Sequence, residues 1–225
     1  MSSSSISHRD GLITGLIYLG LAVTGAFGFL IVRPELFADG DPAKTLSNLV
    51  AREGLARTGI ALELGIVLFQ ALAAIWFARL FRGVDVFAAN AVAVFGMVNA
   101  VVILASAALL HSALAVASGS AGADGWMGHF AYVLSGSFWQ VGAVFFGLWL
   151  MPMGWLVLKS GMAHRALGWI LMLGGTGYVL SVFIAVLLPK AGAWAGVLSV
   201  PAAVGEFWII ILLVWRGLRG HMRRV

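Results

Sequence analysis

The sequence predicts an all-α fold, a polytopic membrane helix bundle with six transmembrane helices and both termini cytoplasmic. Three observations predict it. Hydrophobic residues make up 61% of the 225 residues and charged residues only 10%, whereas a water-soluble domain carries roughly 25% charge. Mean hydropathy is +1.01. The apolar residues gather into six runs, each near the ~20 residues a helix needs to cross ~30 Å of hydrocarbon. Their continuous hydrophobicity differs from the alternation of a transmembrane barrel. The runs succeed one another too closely to admit a separate soluble module, so residues 1–225 read as a single integral membrane domain.

In chain order the spans fall near 11–32, 54–80, 87–110, 130–158, 166–188 and 197–216. The Ser-rich start, Met1 to Ser7, lacks the basic region and cleavage site of a secretory signal, so the first run reads as a retained span. Between the first two spans, Asp41-Pro42 is a helix start, with Asp as cap and Pro at the first helical position. Residues 42–53 then form a short outer amphipathic helix with Leu46, Leu49 and Val50 on one face. That helix reads as a cover for the bundle rather than a gate. The Gly-rich stretch Ser118 to Gly128 links the third and fourth spans.

Orientation comes from Lys and Arg. Arg9, Arg79, Arg82, Lys159, Arg165, Arg216, Arg219, Arg223 and Arg224 fall on one side, against Arg33, Lys44, Arg52, Arg57 and Lys190 on the other. The richer side is cytoplasmic by the positive-inside rule. The net charge of +5 needs no nucleic acid, because a basic tail from Arg216 to Arg224 matches anionic lipid headgroups. Membrane lipids are thus the expected partners. The 29 glycines suit close helix contact, with Gly11, Gly15, Gly174, Gly175 and Gly177 as contact points. Trp126, Trp169, Trp194 and Trp215 fall near predicted interfaces. Gly-rich or Trp-rich faces could also receive a membrane protein partner. Without cysteine there is no disulfide, thiolate nucleophile or Cys-ligated metal.

Polar residues inside the spans are the candidate site. Counted inward at ~1.5 Å per residue, Glu63, Asn99, Gln140, Tyr178 and Glu206 come out about 13–17 Å deep, one from each of spans two to six. Glu63 shares a face with Gly59 and Gln70, and Gln140 shares one with Gly136 and Gly147, faces that suit the bundle interior. No Lys or Arg belongs to this layer. Arg57 lies about 9 Å above Glu63, within partial reach of it or of Glu53 one turn back. A carboxyl pair of Glu63 and Glu206 suits proton coupling, cation binding or acid–base chemistry, and equally a static hydrogen-bonded network. His111 and His129 are the weaker candidates, as haem ligands or as part of a metal site with Asp124. No cofactor is expected and no catalytic residue is assigned. Ser135 and Ser137, flanking Gly136, read as packing.

The order of several short motifs resembles a family of bacterial membrane proteins, domain of unknown function 4386. The most specific part is Val141-Gly142-Ala143-Val144-Phe145-Phe146-Gly147, then Gly154-Trp155-Leu156, Lys159-Ser160-Gly161, Arg165, Leu167-Gly168 and Gly177-Tyr178. Gly15-Leu16-Ile17-Tyr18-Leu19, Arg57 with Gly59, and Pro201-Ala202-Ala203-Val204-Gly205-Glu206 extend it over nearly the whole chain. The resemblance implies a compact helical membrane domain with no established activity, and draws notice to Arg57, Lys159, Arg165 and Glu206. Relatives often carry Arg within the third span and near the start of the first, where this chain has Gly96, Asn99 and Leu12.

The function expected on these grounds is that of a multi-pass protein of the bacterial inner membrane whose polar cluster binds or moves a small solute, proton or cation. The alternative is a non-catalytic accessory or assembly subunit of a larger membrane complex. An intramembrane enzyme or haem protein ranks third.

Overall fold

Apolar segments of this length fold as helices because hydrocarbon offers no partner for a free backbone N–H or C=O. The computed structural model describes residues 7–38, 40–119, 125–188, 190 and 192–222. Helix α1, His8–Phe27, runs into a π-helical turn, Gly28–Val32, and on into α2, Arg33–Leu36. Then come α3, Pro42–Ala51, α4, Glu53–Phe81, α5, Val86–Ala117, α6, Gly125–Ser160, α7, Arg165–Leu187, and α8, Gly192–Met222. No strand occurs among the described residues. Six described segments are long and apolar enough to cross a membrane: His8–Leu36, Glu53–Phe81, Val86–Ala117, Trp126–Ser160, Arg165–Leu187 and Gly196–Arg219. The chain is an all-α, multi-pass membrane protein.

The largest departure from the sequence reading is the first span. It extends beyond Val32 to Leu36, so Arg33 and Pro34 are helical rather than part of an outer loop. Pro34 is tolerated there because it stands in the first turn after the π-helical segment. Helix α3 ends at Ala51, with Arg52 as its cap, and α4 begins at Glu53. The start of α3 is capped as the sequence suggested: Asp41 Oδ1 accepts the Lys44 N–H at 2.9 Å. Asp85 Oδ1 likewise accepts the Ala88 N–H at 3.1 Å at the start of α5, and His164 Nδ1 accepts the Ala166 N–H at 3.2 Å at the start of α7.

The chain divides into two compact units. Unit 1 comprises Met1–Leu19, Gln70–Asn99 and Ala143–Val225, and unit 2 comprises Gly20–Phe69 and Ala100–Gly142. In unit 1 the core is Tyr18, Phe77, Phe81, Trp149, Leu150, Met153, Leu156, Leu167, Leu171 and Ile209, all buried. Small residues bring its helices together: a Cβ on Gly154 would meet the Gly168 carbonyl oxygen at 2.5 Å, and one on Gly177 would meet that of Leu198 at 2.0 Å. Backbones approach this closely only where the side chain is missing. Lys159 Nζ pairs with Asp85 Oδ2 at 2.7 Å and Arg79 Nε with Asp10 Oδ2 at 3.4 Å.

Unit 2 packs the π-helical turn, α2 and α3 against parts of α4, α5 and α6. Its core holds Val32, Leu36, Leu49, Ala56, Leu110, Ala113, Leu114 and Tyr132. The apolar face of α3 predicted from Leu46, Leu49 and Val50 is partly realised: Leu49 is buried, whereas Val50 is 53% exposed.

Candidate functional site

The densest polar cluster lies in unit 2 and begins with a backbone irregularity. The N–H of Arg33 bonds to the carbonyl of Gly28, a five-residue step in place of the usual four. Such a turn shifts the phase of the downstream helix by about one residue, on the order of 100° around the axis, and π-helical turns recur at functional sites. Arg33 is thereby carried toward α4. Its Nη2 lies 2.8 Å from Glu63 Oε1, and Glu63 is only 3% exposed.

The carboxylate is fully engaged. Besides Arg33, Glu63 Oε1 accepts the Trp139 indole N–H at 3.1 Å, and Oε2 accepts the Ser106 hydroxyl at 2.9 Å. Ser106 uses its single proton on Glu63, so Ser135 is the donor in the 2.7 Å contact between the two hydroxyls. Arg33 Nη2 also donates to Ser135 Oγ at 2.9 Å. A buried carboxylate requires this kind of set, a countercharge plus hydrogen bonds to its remaining lone pairs.

The guanidinium is less complete than its partner. Its Cζ lies 5.2 Å from the Phe29 ring centroid and 5.8 Å from that of Tyr132, within range of cation–π attraction. Its Nε is buried with no hydrogen-bond partner. Beside it is a cavity of about 20 Å³ lined by Arg33, Glu63 and Tyr132 and otherwise by apolar residues such as Leu36 and Ile60. That volume holds about one water.

The residues of the layer predicted from the sequence fall in both units. Glu63 and Gln140 belong to unit 2, and Asn99, Tyr178 and Glu206 to unit 1. The expectation that no Lys or Arg joins the layer is corrected by Arg33, whose span is one turn longer than its apolar run and whose phase the π-helical turn alters. The inward direction given to Gln140 is also corrected, because Gln140 is exposed and the preceding residue, Trp139, points to Glu63. A one-residue offset on a helix is about 100° of rotation, enough to exchange the two faces. Arg57 pairs with Glu53 at 2.6 Å on an exposed surface, the nearer of the two partners weighed for it.

In unit 1 the Tyr18 hydroxyl donates to Glu206 Oε1, and the Tyr178 ring meets Phe146 edge-on at 5.3 Å. Asn99 is buried, with Nδ2 unpartnered. Of the histidines, His111 is exposed and His129 stacks on Phe37 at 6.2 Å. Neither lines the cavity, and Asp124 lies outside the described residues. Ser106 and Trp139 escaped the sequence reading, which took Ser135 for packing and Arg33 for an outer-surface charge. The one legible signal was Arg33 itself, a cation adjoining an apolar run while Glu63 in the next span had no assigned countercharge.

The profile of the family described as Domain of unknown function (DUF4386) matches residues 13–217. Neither a curated protein nor a solved structure matches the chain.

Proposed function

The chain belongs to the DUF4386 family, and on that premise we propose that it is a non-enzymatic membrane protein that binds a small solute at Arg33. The observation that carries the reading is the unpartnered, buried Nε of Arg33 beside a cavity of about 20 Å³. A free N–H on a cation asks for an acceptor, so the ligand presents a carboxylate or carbonyl oxygen there. The cavity has room for about one water, so the ligand's oxygen enters there and the rest of the ligand lies outside it. A cation is disfavoured, because Arg33 already supplies the countercharge of Glu63. On this reading the protein sits in a bacterial inner membrane, both termini are cytoplasmic by the distribution of Lys and Arg, and lipids meet its many exposed apolar side chains.

Purification in mild detergent tests this directly. Native mass spectrometry should find a retained acidic or carbonyl compound, and a thermal-shift panel of short carboxylates and alkali cations should respond to a carboxylate. Both signals should vanish in Arg33→Gln. A response to cations alone, or to nothing, defeats the proposal.

A second reading is favoured by the complete satisfaction of Glu63. A carboxylate with three donors can serve only to hold helices in register, in an accessory subunit that meets its partner through Gly-rich or Trp-rich faces. That role predicts copurification of a defined membrane protein and no retained small molecule.

A further inference from the structure

We propose that unit 1 holds bound water between α4, α5 and α6, beside Gly96. Gln70, Asn99 and Trp149 are exposed by only 0%, 3% and 0%. Both amide atoms of Gln70, Nδ2 of Asn99 and Nε1 of Trp149 have no hydrogen-bond partner. Native structures leave few buried polar atoms unpaired, and four from three neighbouring helices mark a place where a guest belongs.

The atoms converge. A Cβ on residue 96 would lie 3.3 Å from Gln70 Nε2 and 3.3 Å from Trp149 Nε1, with Ala74 Cβ at 2.8 Å. Asn99 comes three residues after Gly96 on α5 and so shares its face. Glycine at 96 keeps this corner free of a side chain.

The mix of atoms selects the guest. The indole and the two amide nitrogens donate, while Gln70 Oε1 accepts. A halide would satisfy only the donors and a metal cation only the oxygen; water does both. Exchanging the oxygen and nitrogen of the Gln70 amide leaves this count unchanged. Trp149 also packs edge-on against Tyr18, ring centroids 5.4 Å apart, and the Tyr18 hydroxyl donates to Glu206. The hydrated corner and the Tyr18–Glu206 pair therefore share a wall within unit 1. This site is independent of the solute reading at Arg33.

Full-length protein labelled with ¹⁵N-tryptophan in detergent provides the test. The Trp149 indole signal, identified by its loss in Trp149→Phe, should exchange magnetisation with water, and Gly96→Ala should abolish that transfer. Gln70→Met removes both amide atoms at similar volume. It should lower Tm by about 2–4 °C when water bridges them, and this measurement stands whether or not the Trp149 variant folds. Lack of transfer in the wild type, or a higher Tm in Gln70→Met, overturns the proposal.

Discussion

Trp139 donates its indole N–H to Glu63 across 3.1 Å, and its ring meets that of Phe29 edge-on at 4.4 Å. One side chain thus performs two tasks, completing the carboxylate's acceptors and packing against the π-helical turn that aims Arg33. Trp139→Phe keeps an aromatic ring but removes a hydrogen bond to a charged group, for which a cost of about 1.5–3 kcal/mol is expected. Gln140→Leu, at the exposed neighbouring position, should change stability by no more than about 0.5 kcal/mol. Denaturant titration of both variants in detergent measures the contrast.

The Arg33–Glu63 pair should show strong non-additivity. Its side chains are 18% and 3% exposed, so removing either one strands the other charge in an apolar setting. Arg33→Leu alone or Glu63→Leu alone should cost about 3–5 kcal/mol. The double variant should cost less than either single change, because no charge is then left behind. Thermal unfolding of the four proteins completes the cycle, and simple additivity would contradict the pairing.

Hydropathy alone made the six spans and the all-helical fold legible, because the demand for internal backbone hydrogen bonds in hydrocarbon leaves few alternatives. Glu63 and Glu206 stood out for the same reason, as costly residues in apolar runs. What sequence could not convey was rotation. A π-helical turn at Gly28–Val32 carries no compositional mark, yet it decides where Arg33 points. Depth counting also treats all faces of a helix alike, so it selected Gln140 where the working side chain is Trp139. Ser106 and Ser135 were hidden because a serine in a membrane helix commonly bonds its own backbone. Only the proximity of Glu63 gives these two another role.

Asp85 precedes α5, outside the spans, and gives a pH signature. The Lys159 ammonium and then the Ala88 N–H hold its carboxyl at about 2, below the usual 3.8. Because the folded carboxyl is the stronger acid, its ionised form adds stability at pH above the usual value. That contribution fades as pH falls from 3.8 toward 2. Lys159→Met should move the Asp85 titration upward toward the ordinary range and flatten the pH dependence of stability in that window. Carbon-13 NMR of the Asp85 carboxyl in wild type and variant tracks the shift.

Two glycines should respond to the same substitution with opposite signs. At Gly154 a Cβ would meet the Gly168 carbonyl oxygen at 2.5 Å and the Met172 backbone nitrogen at 2.9 Å. Backbone atoms cannot turn aside as a side chain can, so α6 and α7 would have to separate. Gly154→Ala is expected to cost about 1–3 kcal/mol through overpacking. At Gly25, within α1, a Cβ would find nothing within 4 Å, and the substitution gains the helical preference of Ala over Gly, about 0.5–1 kcal/mol. Gly25→Ala should therefore raise Tm while Gly154→Ala lowers it. A matched pair of thermal melts in one detergent decides the matter, and equal shifts would mean that α6 and α7 do not approach through Gly154.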